Sequence, residues 1–454
     1  MGLPANDYKR LLESLLRWWI LAAVFFLVLG QVSLNRDNPE EALLAQPAFR
    51  FRAACVSSLD FSVGGKIANL VYPAAGLWLA CAAWGAFKKR PPLLFPVLGF
   101  LLAAAVSCAF SPLTRLSWET GVKPLLTATM LFLIVATAFG PEIWRRRLLV
   151  AVFGALLLTA AAGLALYLGR VYFPQTDQRI WLSFGHPNSS GAVMIPAIAI
   201  VAAYLMTSAP ARVKVACALT LPILAATMVL TFSRTAWISL LLALGVLAFW
   251  AGTRKFKTFF LAAVLIAVGA LIWGVNVGPQ SYWKTRVRSL AGWREDPNIQ
   301  RRQVYWEAAG RMLARRPLVG CGPGYRVFME AYRGYFQRVD TGELVTGPHN
   351  GFLSIGAGMG GLGLAAFLWL IAAVVGLLGS GRGPGWLHRG FRLGLGAGLL
   401  GFMVGNLTDD PLLNDRILCL VWVFLGILAA GEEGSGLTAL PISPTIPENR
   451  GKRG

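Results

Sequence analysis

Apolar runs of about twenty residues, separated by short polar connections, recur along nearly the whole chain, and each is long enough to cross roughly 30 Å of hydrocarbon as a helix. The runs fall near 14–34, 67–87, 93–111, 118–139, 148–168, 191–209, 213–232, 235–251, 258–277, 351–378, 391–408 and 416–431. The pattern predicts an all-α, polytopic membrane helix bundle of about twelve transmembrane helices. The first run continues without a small-residue cleavage site, so it reads as a span and not as a cleaved leader. One long interruption, 278–350, predicts a large external helical subdomain. Five segments follow: 1–190, N-terminal membrane helices with external loops; 191–277, membrane helices around a Ser-Arg-Thr corner; 278–350, the basic external loop; 351–431, the C-terminal membrane helices; and 432–454, a polar tail.

Composition agrees with this reading. Of 454 residues 56% are apolar and only 14% charged, with a mean hydropathy of +0.60, whereas about a quarter of a soluble domain is charged. The formal charge of +21 would suggest nucleic acid in a soluble protein; in a membrane protein much of such an excess sets orientation. Lys88-Lys89-Arg90, Arg145-Arg146-Arg147, Arg212 with Lys214, Arg254-Lys255 with Lys257, and Arg382 with Arg389 and Arg392 all fall on one side. Short basic loops stay cytoplasmic, so both termini are expected inside and the loop 278–350 outside. That loop carries twelve Lys and Arg against six acids, an excess that suits an anionic partner beyond the membrane as well as solvated helix faces.

Within the loop, Val304, Ala308, Met312 and Leu313 form an apolar stripe at helical spacing over 299–315, with Tyr305 and Trp306 beside it. A helix of this kind suits the membrane interface. It ends at Arg316-Pro317, and Gly320-Cys321-Gly322-Pro323-Gly324 predicts a sharp turn. Cys55 and Cys321 fall in external loops where a disulfide is conceivable. The three histidines are dispersed, no zinc-type spacing occurs, and no phosphate-binding glycine loop is present. No metal and no cofactor are therefore expected.

Candidate chemistry gathers at loop corners on the expected external side. In Thr231-Phe232-Ser233-Arg234-Thr235, Arg234 reads either as a side chain snorkelling from a helix end or as a guanidinium fork for phosphate. Ser233 or Thr235 is a candidate cap for the next helix. Arg301 and Arg302 open the loop helix, where the macrodipole favours acids; a bound phosphate accounts for them, as does a solvated face. In Gly347-Pro348-His349-Asn350-Gly351, His349 is a candidate general base titrating near neutral pH, and Asn350 a candidate helix cap. His186, in Phe184-Gly185-His186-Pro187, reads first as a cap. Asp409 and Asp410 suit holding their turn ahead of orienting a base.

Taken in order, these residues resemble the O-antigen ligase and polymerase superfamily of bacterial envelope glycosyltransferases. The resemblance runs from about Gly185 to Leu428. It is carried by the Ser233-Arg234-Thr235 corner, by Arg302 four residues before Trp306, and by Arg316-Pro317-Leu318-Val319-Gly320-Cys321-Gly322-Pro323-Gly324. His349-Asn350-Gly351-Phe352-Leu353 and the glycine-rich Gly358–Gly363 complete it, while the first 180 residues match by topology alone. The resemblance implies a metal-independent, inverting glycosyltransferase of GT-C type in the bacterial inner membrane, with its active site on the periplasmic face. It implies an undecaprenyl-pyrophosphate-linked glycan as donor and a lipid A–core sugar hydroxyl as acceptor, with membrane lipids but no nucleic acid as further partners. Arg234 and Arg302 would hold the pyrophosphate, with Arg301 the alternative for the second role, and His349 would deprotonate the acceptor. Polymerisation of polysaccharide repeat units and transfer to protein use the same kind of donor with other acceptors. A transporter or lipid flippase, the reading from a different class, predicts mid-span charges and interrupted helices in corresponding halves, whereas the charges here cluster at span ends.

Overall fold

The computed structural model describes residues 5–29, 67–83, 90–169, 179–180, 182–184, 186–251, 297–335, 347–380 and 385–432, with a few single positions between them. Thirteen helices and no strand occur among the described residues. They are α1 (Ala5–Leu29), α2 (Ile67–Ala83), α3 (Leu94–Ala109), α4 (Thr114–Ala138, with a π turn at Trp118–Val122), α5 (Glu142–Leu168) and α6 (Pro187–Met206). There follow α7 (Ala211–Leu230), α8 (Arg234–Ala251), α9 (Pro297–Arg315), α10 (Tyr325–Tyr335), α11 (Gly351–Ser380), α12 (Trp386–Gly405) and α13 (Asp415–Glu432). Helices cover eleven of the twelve expected spans; the run at 258–277 lies outside the described residues except for Thr258 and Leu261.

Among the described residues seven helices, α1, α4 to α8 and α11, are long and apolar enough to cross a membrane. Helix α13 is enclosed by the bundle: every residue from Ile417 to Glu432 is buried. Around it α12 packs closely on α6, because Gly394 and Gly398 present no side chain where the backbone of Ile200 and Pro196 passes. Small residues at such contacts let membrane helices approach when no hydrophobic force drives them together.

The two ends of the bundle differ chemically. At one, Lys9 donates to the Gly85 carbonyl at 3.1 Å and Arg17 to that of Ala138 at 2.6 Å. Arg147 lies over the Trp144 ring at 4.6 Å, and His388 meets Glu432 at 3.0 Å. The loops carrying His186, Ser233, His349 and Asp409 gather at the other.

Both glycine-rich segments belong to one device. Helix α11 breaks at Gly360, whose φ of 64° leaves the helical region. Carbonyls and amides freed in an apolar setting need partners, and the 317–322 turn supplies them. Cys321 and Gly322 donate to the carbonyls of Ala357 and Gly358, at 2.9 and 2.8 Å, while Gly361 and Leu362 donate back to those of Pro317 and Leu318. Gly320 and Gly322 take positive φ values of 65° and 112°, which only glycine adopts without cost. Ser107 and Ser111 of the α3 end donate to the carbonyls of Val319 and Cys321 and lock the turn onto the bundle.

The helix expected over 299–315 is present as α9, but its surroundings correct the interfacial reading. Its apolar side is covered by protein: Tyr305, Ala308, Ala309 and Met312 pack with Cys321, Val327, Phe328, Tyr332 and Ala357. The helix is thus pinned over α11, which fixes where its first turn points. Cys321 is buried in this cluster, and Cys55 lies outside the described residues.

Candidate functional site

Four chain segments far apart in sequence meet at the loop-rich end. Asn350 caps α11: its Oδ1 accepts from the Phe352 and Leu353 amides, both at 3.0 Å, and its Nδ2 donates to the Leu407 carbonyl at 2.9 Å. The Gly351 amide donates to the carbonyls of Asn406 and Asp409. The start of α11 is therefore tied to the turn between α12 and α13, and the capping role considered for Asn350 is present in the structure.

That tie delivers His349 to two carboxylates. Its Nδ1 lies 3.4 Å from Asp409 Oδ1 and 3.6 Å from Asp410 Oδ1. Its amide donates to Asp410 Oδ2 at 3.2 Å, and the Ser354 hydroxyl donates to the same oxygen at 3.2 Å. His349 holds a positive φ of 50°, uncommon for a residue with a side chain and a mark of a position the surroundings over-determine. At Gly347 a Cβ would collide with the Asp410 carboxylate, so the glycine makes room for the brace.

The electrostatics correct one expectation. Burial alone disfavours charge on His349, but the hydrogen bonds and charges of Asp409 and Asp410 outweigh it and raise its pKa to about 9. It does not titrate near neutral pH; the resting ring is an imidazolium between two carboxylates. Burial opposes charge on Asp409 as well, yet His349 and the Arg302 charge hold its carboxyl below the ordinary range.

Arg302 and Arg301 occupy the first turns of α9, and Tyr305 one turn further on sets its ring 6.1 Å from that of His349. Residues three and four apart share a helix face, so the contact through Tyr305 carries both guanidinium groups toward the site. The Arg302 charge acts on Asp409 and on His186.

His186 is the N-cap of α6, its Nδ1 accepting from the Asn188 amide at 3.1 Å. An accepting nitrogen must be unprotonated, and desolvation with the nearby Arg179 charge lowers its pKa to about 4. It serves as a neutral cap beside the His349 cluster. Arg179, which sequence reasoning passed over, links two corners: Nε donates to the Thr231 carbonyl at 2.9 Å and Nη2 to Asn188 Oδ1 at 2.7 Å. Ser233 Oγ accepts weakly from the Ala236 amide at 3.4 Å, capping α8. Thr235 Oγ1 and Thr408 Oγ1 lie 2.9 Å apart, which places Arg234, the first residue of α8, beside the turn that carries Asp409. Phe232, just before the corner, has a positive φ of 49°. Both corners that aim a candidate residue thus contain a side-chain-bearing residue in the left-handed region.

The expectation of no metal-ligand cluster also needs correction. His349, Asp409 and Asp410 offer ligand atoms within 4.8 Å of one another, a set of the size that holds many catalytic metals. A metal would require neutral His349, so it competes with the proton the carboxylates favour. Asp410 Oδ2 and Asp409 Oδ1 already accept hydrogen bonds from the His349 and Asp410 amides. The arrangement reads more directly as a carboxylate-braced histidine than as a metal centre. Turnover is expected to survive excess EDTA in metal-free buffer; loss on chelation with recovery on adding magnesium or manganese would reverse that assignment.

Fold and site together define a multi-pass membrane protein with a cationic, carboxylate-braced histidine site at one end of its bundle. Residues 216–368 match the family described as O-antigen ligase, and this domain bears out the resemblance to the O-antigen ligase and polymerase superfamily. No curated protein matches the chain. The matched segment contains Arg234, Arg301, Arg302 and His349, while His186, Arg179, Asp409 and Asp410 lie outside it.

Proposed function

We propose that the protein transfers a glycan from an undecaprenyl-pyrophosphate donor to a sugar hydroxyl of lipid A–core, on the external face of the bacterial inner membrane. The observation that carries this reading is His349, braced by Asp409 and Asp410, beside Arg302 and the Arg234 corner. Arg234 and Arg302 hold the pyrophosphate, whose negative charge grows as the glycosyl bond breaks and is stabilised by preorganised guanidinium groups. The carboxylates engage Nδ1 and leave Nε2 as the nitrogen that takes the acceptor proton. Attack from the face opposite the leaving group inverts the anomeric carbon. Bond energy in the donor drives transfer without nucleotide or metal.

The direct test supplies purified protein in nanodiscs with lipid-linked glycan and either lipid A–core, a second lipid-linked glycan, or a peptide. Product on lipid A–core supports a ligase. Product only on the second glycan assigns a polymerase, product only on the peptide a protein glycosyltransferase, and no product with any acceptor removes the reading.

A pH prediction follows from the brace. Only the unprotonated fraction of His349 can act as base, so the single-turnover rate should rise about tenfold per pH unit and level off near pH 9. Asp410→Asn removes one charge that raises the pKa, so its profile should level off at lower pH. Linkage to stability has the opposite sign. A raised histidine pKa contributes stability that is complete below about 6.5 and lost as pH rises through about 9. A wild-type rate flat from pH 6 to 9, or an unshifted Asp410→Asn profile, would remove His349 as the rate-limiting base.

A further inference from the structure

Arg179 takes no part in the chemistry proposed above, yet its side chain ties together two corners on which that chemistry depends. It projects from a short segment between α5 and α6 that is anchored at several points. The Ile180 amide donates to the Leu230 carbonyl at 3.0 Å, and the Ser183 hydroxyl to that of Val28 at 2.8 Å. Asn414 Nδ2 donates to the Phe184 carbonyl at 2.8 Å. The C-terminal ends of α1 and α7 and the start of α13 thus fix the backbone that carries Arg179.

From there the guanidinium reaches in two directions. Nε donates to the Thr231 carbonyl at 2.9 Å, at the C-terminus of α7, and Nη2 to Oδ1 of Asn188, the second residue of α6, at 2.7 Å. A cation suits a helix C-terminus, where the last carbonyls lack intrahelical partners. This particular carbonyl also governs geometry. It belongs to the peptide between Thr231 and Phe232, and because the peptide is planar, turning it over changes ψ of Thr231 and φ of Phe232 together. Phe232 stands at a φ of 49°, a region disfavoured for a residue with a Cβ. Pinned by Nε, the plane is held against turning over, so Phe232 does not relax to negative φ. The Ser233 amide, donating to Thr231 Oγ1 at 3.3 Å, closes the corner, and Arg234 follows as the first residue of α8. On the other side Asn188 passes the tie to His186, whose Nδ1 accepts from the Asn188 amide.

We propose that Arg179 is the positioning residue of the pyrophosphate site: by clamping the Thr231 carbonyl to α6 it keeps Phe232 in the left-handed region and aims Arg234 at the donor. The assignment rests on the role proposed above for Arg234. Lysine is a poor replacement, because one ammonium lacks the planar edge with which Nε and Nη2 engage both partners at once.

The test compares full-length wild type, Arg179→Lys, Arg234→Lys and the double variant in nanodiscs, by affinity for undecaprenyl pyrophosphate, amide hydrogen exchange and the pH dependence of single turnover. Arg179→Lys should weaken binding about tenfold, the scale of one charge-assisted hydrogen bond. On top of Arg234→Lys it should add less than about twofold, since a residue acting through Arg234 then has nothing left to orient. Exchange should rise over 232–238 while 350–354 stays protected, and the rate should still level off near pH 9, because the His349 brace is untouched. Additive losses would make Arg179 a separate contact or general support, and unchanged exchange over 232–238 overturns the proposal whatever the donor. If Arg179→Lys does not fold, Asn188→Ala, which removes one partner and keeps the guanidinium, enters the same cycle with a smaller loss expected and the same two overturning results. Failure of the pyrophosphate role itself looks different: wild type that does not bind undecaprenyl pyrophosphate, or Arg234→Lys that binds it normally, removes that role, while exchange at the corner still decides whether Arg179 holds it.

Discussion

Replacing His349 with alanine is expected to lower glycosyl transfer by at least about 100-fold, or about 2.7 kcal/mol of transition-state stabilisation, the usual scale for a general base. The motive is geometric: three segments of chain position this ring, two carboxylates engage its Nδ1, and Tyr305 bounds its face. Donor binding should change little, because pyrophosphate is assigned to the arginines. Alanine at a positive φ adds local strain, so His349→Gln provides a control that keeps a polar side chain of similar reach but cannot exchange a proton near neutral pH. Both variants should remain folded, since Asn350 and Gly351 carry the ties that seat α11. Near wild-type single-turnover rates in either folded variant would leave His349 as part of a capping turn.

The second large effect separates Arg234 and Arg302 from the other cations of the chain. If each grips pyrophosphate through paired N–H donors, lysine is a poor substitute, since it supplies a point charge without the planar fork. Arg234→Lys and Arg302→Lys should each lose most activity, on the order of 10–100-fold. Arg311→Lys and Arg326→Lys should be nearly silent, because Arg311 is engaged by Glu307 on an exposed face and Arg326 lies beside Tyr325 at the surface. The loss should combine weaker donor binding with slower chemistry, as pyrophosphate is present before reaction and gains charge during it. Arg301→Lys tests which of the two neighbours holds the pyrophosphate: with Arg302 in that role, its charge acting on Asp409 and His186, Arg301→Lys should be the milder variant. Donor affinity and single-turnover rate, measured for all five in matched membranes, decide the matter. Uniform small losses would mean a diffuse basic surface.

Much of the architecture is written locally. A run of twenty apolar residues has few choices in a membrane except a helix, so α1, α4 to α8 and α11 stand in the hydrophobicity pattern alone. Capping is equally local, which is why Asn350, Ser233 and His186 were identifiable from their place before a helix. The stripe of Val304, Ala308 and Met312 specified a helix but not what would cover it; protein, the turn at Cys321 and helix α10 cover it, where a membrane interface was equally consistent with the pattern.

What only the tertiary structure decided depends on contacts across large sequence separations. Asp409 and Asp410 lie some sixty residues beyond His349, and nothing in their spacing announces a brace. The raised pKa of His349 and the possible metal-ligand set were invisible for that reason: electrostatic environment depends on distance in space, and periodicity records only neighbours along a helix or strand. The same holds for Arg179, an unremarked cation in a loop that joins the Thr231 corner to the start of α6. The first glycine cluster, 320–324, was legible as a sharp turn and the second, 358–363, as a glycine-rich helix. That each completes the hydrogen bonding of the other, across the break at Gly360, required the backbone itself, because a broken membrane helix survives only where another segment satisfies its freed groups.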